Sequence, residues 1–200
     1  MKKPKIRELI EAIKSLIKGP YTTKFPYKPH IPPKKFRGKP EFFEDECVGC
    51  TACAQVCPSG AIEFFDDLNS SPPKRKFILH YDTCIFCGQC QVNCITEEGI
   101  KLSNKFDLAL FDRKEAIETV EKELVLCEVC GKPITCRAHL DWLAKKLGPL
   151  AFSNPTLFLS RLRELNLVDE NITEIVRDLT RADRMKILCA ECRRKTTLEK

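Results

Sequence analysis

The sequence has no apolar run approaching the ~18 residues that cross a bilayer, which excludes an integral membrane helix. It shows no secretory leader. Met1-Lys2-Lys3 is followed by Pro4 and a charge-studded stretch instead of an apolar core, so secretion is not expected. A phosphate-binding glycine loop, a nicotinamide fingerprint and a nucleophile–base pair are all missing, which argues against substrate chemistry on this chain. Histidine is scarce, three in 200 residues, and His30 and His80 have no ligand partner in the sequence. Cysteine, by contrast, fills 13 of the 200 positions. Disulfides do not persist in a reducing compartment, so this many thiols there point to metal.

Charge is spread unevenly. Residues 1–40 hold twelve Lys and Arg against two Glu, a net of +10, so with +6 overall the other 160 residues carry −4. The same segment holds seven of the 13 prolines. Within it, Ile6, Leu9, Ile10, Ile13, Leu16 and Ile17 line one face of a 3.6-residue period, and Lys5, Arg7, Lys14 and Lys18 line the other. An amphipathic helix is predicted over 5–18, with Pro4 in its first turn and Gly19-Pro20 as its stop. From Pro20 to Pro40 the prolines favour extended backbone, and Tyr21, Phe25, Tyr27 and Phe36 are anchors for another surface. A flexible basic tail would not need so clean an apolar stripe. The segment is therefore read as an arm that docks on a partner or an anionic membrane face. Basic charge alone is a weak signal for nucleic acid, which is not expected as a partner.

The core begins with Cys47-Val-Gly-Cys50-Thr-Ala-Cys53-Ala-Gln-Val-Cys57-Pro58. Cys84-Ile-Phe-Cys87-Gly-Gln-Cys90-Gln-Val-Asn-Cys94 repeats the C-x2-C-x2-C-x3-C spacing 37 residues later, an internal duplication. Strand candidates Ala61–Phe65 and Gly99–Ser103 follow the two runs, and Glu41–Phe43 and Lys76–Tyr81 lead into them. A [4Fe–4S] cube needs one thiolate per iron. Three closely spaced cysteines wrap three corners, and the fourth, three residues on, points away. In two-cluster ferredoxins that fourth thiolate ligates the other cluster. One cluster is thus assigned to Cys47, Cys50, Cys53 and Cys94, and the other to Cys84, Cys87, Cys90 and Cys57. Two zinc sites would use pairs of C-x2-C and would leave the third and fourth cysteine of each run unexplained. With all eight ligands present, a [3Fe–4S] variant is not expected.

Residues 1 to about 104 resemble the two-cluster ferredoxin-type subunit shared by respiratory complex I and the membrane-bound, energy-converting [NiFe]-hydrogenases. The likeness rests on the helix ending at Gly19-Pro20, on the arm from Tyr21-Thr-Thr-Lys-Phe-Pro-Tyr27 through Pro33-Lys-Lys-Phe-Arg-Gly38, and on the cysteine runs. It implies a peripheral subunit on the cytoplasmic side of the cell membrane. Such a subunit passes electrons to the cluster of a neighbouring small catalytic subunit, and a soluble electron donor is the further partner expected. The sequence departs from the pattern at Ile95, where a proline usually follows the fourth cysteine, and in the loop Thr96-Glu-Glu-Gly99.

Residues 105–122 read as a charged connector. Beyond it stand two knuckles, Cys127-Glu-Val-Cys130-Gly131 and Cys189-Ala-Glu-Cys192. Four thiolates in two knuckles suit tetrahedral zinc or a single rubredoxin-like iron. A closed site has no open position for chemistry, so a structural role and zinc are favoured, with a third electron-carrying centre as the sharper alternative. Helical stretches are expected over 138–147, 157–165 and 172–187, with Trp142 in the core. Cys136 is read as an inert buried thiol, although it could replace a knuckle thiolate, and His139 is left over. The C-terminal part resembles that of formate hydrogenlyase-type complexes.

The fold class expected is α+β. It comprises an N-terminal helix and docking arm over 1–40, a duplicated bacterial-type ferredoxin core over 41–104, and a connector with a helical four-Cys metal domain over 105–200. The function expected is non-catalytic electron transfer within a complex I-related, hydrogenase-like oxidoreductase. The rivals are a freestanding soluble ferredoxin and a regulatory or nucleic-acid-binding metalloprotein.

Overall fold

The apolar repeat from Ile6 to Ile17 forms the helix its spacing predicts. In the computed structural model, which describes residues 5–19, 22–167 and 186–198, α1 spans Ile6–Lys18. The Lys5 amide donates to Glu8 Oε2 at 3.0 Å. Gly19, at φ 76°, ends the helix by donating to Ser15 O at 2.9 Å. None of its residues is buried, and Leu16 is 85% exposed. The described part of 20–39 forms turns and no regular element. The chain divides into two units, Met1–Phe36 and Arg37–Lys200.

In the second unit, short apolar runs pair as antiparallel strands. β1 (Pro40–Phe42) pairs with the strand Ile100–Leu102. Between them come α2 (Ala52–Gln55), β2 (Ile62–Asp67), β3 (Lys74–His80) and α3 (Gln89–Val92), so Ile100–Leu102 is β4. β2 and β3 form a hairpin with Asp66 opposite Arg75. Phe77 and Leu79 alternate inward along β3 and are almost wholly buried. They join Ala61, Ile62, Tyr81, Ile100 and Val120 in the main core.

The expected connector differs from what forms. Its last part belongs to β5 (Ile117–Leu126), which pairs with β3 along seven residues and with β6 (Pro133–Cys136), giving a sheet of order β2-β3-β5-β6. The charges that suggest a linker are cross-strand partners: Lys74 and Lys76 both reach the Glu121 carboxylate, at 3.2 and 3.5 Å. Val120 and Leu124 on alternate positions fill the core.

α4 (Arg137–Leu147) and α5 (Pro155–Glu164) then cover a second core of Val125, Leu140, Leu157, Leu159 and Ile187. Asn154 caps α5, its Oδ1 accepting from the amides of Thr156 (2.9 Å) and Leu157 (3.3 Å), with Pro155 in the first turn. Trp142 is half-buried, not core. Its ring lies beside His139, and the Lys146 ammonium sits 5.6 Å from its centroid. The helix expected over 172–187 lies, save its last two residues, outside the described residues. α6 (Ala190–Leu198) ends the described chain.

Positions 37 apart share backbone conformation. Gly49 and Phe86 have φ 72° and 53°, Thr51 and Gly88 have 67° and 79°, and Gly60 and Glu97 have 65° and 63°.

Candidate metal centres

β1 delivers the chain to the first cysteine run, where the Cys47 amide donates to Phe43 O at 2.9 Å. The left-handed turns at Gly49 and Thr51 coil the backbone so that Cys47, Cys50 and Cys53 converge. β3 and Tyr81 deliver the second run in the same way, with Phe86 and Gly88 as the turning residues. Two hollows result. One is lined by Cys47, Cys50, Cys53 and Cys94, with Phe42, Phe77 and Ile100 among its apolar walls. The other is lined by Cys57, Cys84, Cys87 and Cys90, with Ile62 and Leu79 behind them. Each hollow takes three thiols from one run and the fourth from the other.

The thiols within each hollow oppose one another's ionisation. Burial pushes Cys53 up to about 12, with Cys47, Cys50 and, from the other hollow, Cys90 reinforcing it. Burial raises Cys90 to about 11, with Cys84, Cys87 and Cys57 adding to it against a bond from the Gln91 amide. Burial raises Cys47, Cys50 and Cys84 too. Cys57 goes the other way: burial lifts it, but the Ser59 hydroxyl and the amides of Ile62, Ala61 and Ser59 outweigh that and lower it. The raised sulfurs, Cys47, Cys50, Cys53, Cys84 and Cys90, resist becoming thiolates unaided. The donor set therefore fits a group that presents one thiophilic cation to each sulfur, as a [4Fe–4S] cube does.

Ile95 does not disturb the turn it occupies. Gly60 N donates to Cys57 O at 3.3 Å, and Glu97 N to Cys94 O at 3.0 Å. Ser59 Oγ lies 3.7 Å from Cys57 Sγ, and Thr96 Oγ1 lies 3.3 Å from Cys94 Sγ. Thr96 Oγ1 also accepts from the Gly99 amide at 3.0 Å, which closes the altered loop.

At the far end of β5, Cys127, Cys130, Cys189 and Cys192 bring their sulfurs within 4.8 Å of one another. Cys130 and Cys189 are 3.7 Å apart, against about 3.8 Å between sulfurs of a tetrahedral zinc site with ~2.3 Å bonds. The knuckle turns at Gly131, whose amide donates to Cys127 O at 2.8 Å. The Glu128 amide and carboxylate together hold Ile187, N to O 3.0 Å each way, which fixes the approach to Cys189. Burial lifts the Cys127 thiol, but amides of Cys189, Cys130 and Val129 outweigh it and bring it down to about 6. Burial and its bonds to the other three thiols push Cys192 up to about 12. The four-sulfur group includes neither Cys136 nor His139. Cys136 is fully buried at the end of β6, against Gly49 of the first loop. His139 Nδ1 hydrogen-bonds Thr135 Oγ1 at 2.8 Å.

The family description "4Fe-4S dicluster domain" matches residues 46–98, which contain all eight cysteines of the two hollows. Formate hydrogenlyase subunit 6 of Escherichia coli (strain K12) is 37% identical over 131 residues, 65% of this chain and 71% of that protein. The chain belongs to that family. This family member is also 30% identical to NAD(P)H-quinone oxidoreductase subunit I of Gloeobacter violaceus over 99 residues, 48% of the chain and 47% of that protein. A subunit in the structure of the membrane-bound sulfane sulfur reductase, an archaeal respiratory membrane complex, aligns at 30% identity with a TM-score of 0.39. The alignment covers 58% of this chain and 61% of that one. Among the described residues, no helix is long and apolar enough to cross a membrane.

Arg75 and Asp66 escaped the sequence reading. Their bidentate pair touches the first loop through the Gly49 carbonyl. The available signal was the acidic end of β2 (Asp66-Asp67) facing a basic start of β3 (Lys74-Arg75-Lys76) across a short turn.

Proposed function

We propose that this chain is an electron-relay subunit of a membrane-bound, complex I-related oxidoreductase of the hydrogenase-like kind. It hands electrons to the small catalytic subunit from the cytoplasmic face. The observation that carries the reading is the pair of hollows, each ringed by four cysteines drawn from both runs. Membership of the formate hydrogenlyase subunit 6 family supports the hydrogenase-like assignment. The matching torsions at positions 37 apart support a duplicated ferredoxin core.

The ligands proposed are Cys47, Cys50, Cys53 and Cys94 for one [4Fe–4S] cluster and Cys84, Cys87, Cys90 and Cys57 for the other. Such clusters supply reversible one-electron transfer. The protein orients the thiols, shields them behind Phe42, Phe77, Ile62 and Leu79, and supplies hydrogen bonds to sulfur from Phe86 N, Ser59 and Thr96. Because the fourth ligand of each set comes from the other run, the cofactors would tie the two halves of the core together.

For the C-terminal site we propose zinc on Cys127, Cys130, Cys189 and Cys192, with a structural role, since a closed sulfur set leaves no open coordination position. The functional division proposed is an arm over 1–40, a two-cluster body over 41–104 and a metal-closed remainder over 105–200, with β5 lending a strand to the body. The unburied apolar stripe of α1 supports docking over a freestanding carrier.

Anaerobic purification tests this. Metal analysis is expected to give about eight irons per chain with one zinc, and reduction should produce a paramagnetic signal. Gentle solubilisation of membranes should bring down a nickel-bearing partner. Iron-free, colourless protein after anaerobic reconstitution would overturn the relay.

A further inference from the structure

The relay gives no part to Arg75, a largely covered cation beside the first cysteine loop. The Arg75 side chain is 11% exposed. Its Nε and Nη2 donate to the two oxygens of Asp66 at 2.7 and 3.0 Å. Nη1 donates to the Gly49 carbonyl at 3.2 Å, between Cys47 and Cys50. The guanidinium carbon lies 5.2 Å from the centroid of the Phe64 ring. A planar fork held by a carboxylate, a carbonyl and a ring has one orientation. The loop it touches is clamped elsewhere as well: Lys122 Nζ donates to Glu44 O, and a Cβ on Gly49 would lie 2.5 Å from Cys136 Sγ.

The second loop lacks this arrangement. Phe86 stands where Gly49 stands in the first. The cation beside it is Arg37, an exposed residue whose Nη1 reaches Cys87 O at 3.4 Å. No carboxylate orients Arg37 among the described residues.

We propose that Arg75, oriented by Asp66, is a positioning residue that raises the reduction potential of the first site (Cys47, Cys50, Cys53, Cys94) and so makes the two sites electrochemically unequal. This rests on the reading that those four cysteines hold a [4Fe–4S] cluster. A fixed positive charge favours whichever oxidation state is more negative, which is the reduced one. Away from water that influence is weakly screened, and net charge, hydrogen bonding and exposure are the levers that set such potentials. The guanidinium stands between Asp66 and the loop, so the pair presents its positive end to the first site and its negative end away.

The geometry makes opposite predictions for the two partners. Redox titration of the full chain, followed by electron paramagnetic resonance, reads one midpoint per site. The first site's midpoint is the one altered in Cys50→Ser. Arg75→Gln should move that midpoint down and leave the other in place. Asp66→Asn, which removes the compensating charge, should move it up, and Arg75→Lys should stay nearest the unmodified value. A shift in the same direction for Arg75→Gln and Asp66→Asn would mean a loosened loop and would overturn the proposal. So would unmoved midpoints, or equal movement of both. Should Arg75→Gln lose iron at the first site, Asp66→Asn carries the test alone: a rise supports the proposal, and a fall or no change overturns it. Iron content and visible absorbance of the unmodified chain report on the cluster reading itself, so the two failures look different.

Discussion

The buried hydroxyl of Tyr81 donates to the main-chain oxygen of Pro40 across 2.9 Å. Tyr81 follows β3 just before Cys84, and Pro40 opens the strand that leads to Cys47. The same hydroxyl meets the Glu118 carboxylate, whose Oε1 accepts from the Phe42 amide at 2.7 Å. Three strands are thus pinned at one point between the two cysteine runs. Tyr81→Phe should cost about 1–3 kcal/mol by leaving a buried acceptor unpaired. A denaturant titration would read it, and iron release on mild heating should quicken alongside. Unchanged stability would show that the junction is not where the halves are held.

Removing one sulfur from the C-terminal centre should release its metal and spare the iron. Cys130→Ser is expected to lose the zinc equivalent, lower the melting temperature and keep about eight irons. Cys136→Ala should keep the zinc and lower stability by about 1 kcal/mol, the cost of a small cavity. Zinc loss in Cys136→Ala would make Cys136 a ligand after all. Iron loss in Cys130→Ser would mean the two parts fold as one.

Acid should weaken the native state through His139. Burial, and then the positive charge of Arg75, hold its ring below the ordinary 6.5. Above that value the imidazole is neutral whether folded or unfolded. As pH falls through it, the unfolded chain binds the proton first, so stability declines from about pH 6.5 downward. His139→Gln should flatten the fall in melting temperature between about pH 7 and pH 5. An identical slope in the variant would assign the decline to other groups.

Truncation after Phe36 should leave the second unit with its full iron content, because the first strand begins only at Pro40. The shortened chain should no longer co-sediment with membranes that retain the intact one. Continued membrane recovery would move docking from α1 to the body.

The gathering of the cysteines was legible because it depends on their spacing, a strictly local property. The expectation that Cys57 joins the second set and Cys94 the first came from the pattern of two-cluster ferredoxins, in which the fourth cysteine of each run serves the other cluster. β5 was obscured because Glu118, Glu121, Lys122 and Glu123 look like a linker until β3 is set opposite them, and registers are not local. Arg75 was hidden for the same reason, since its meaning depends on Asp66 being its cross-strand neighbour. Trp142 misled because a large apolar ring was assigned inward, whereas it is half-buried, with the Lys146 ammonium and the tilted His139 ring as neighbours.

The paired torsions at 49/86, 51/88 and 60/97 have an engineering consequence. In every pair one position holds glycine and the other a bulkier side chain: Phe86, Thr51 and Glu97. Each of those three sits in a left-handed conformation that costs roughly 1 kcal/mol in a residue with a Cβ. Descent from a single ancestral repeat would leave each half a partial template for mending the other. Writing glycine back at these places is a route to a hardier protein that needs no new contact anywhere.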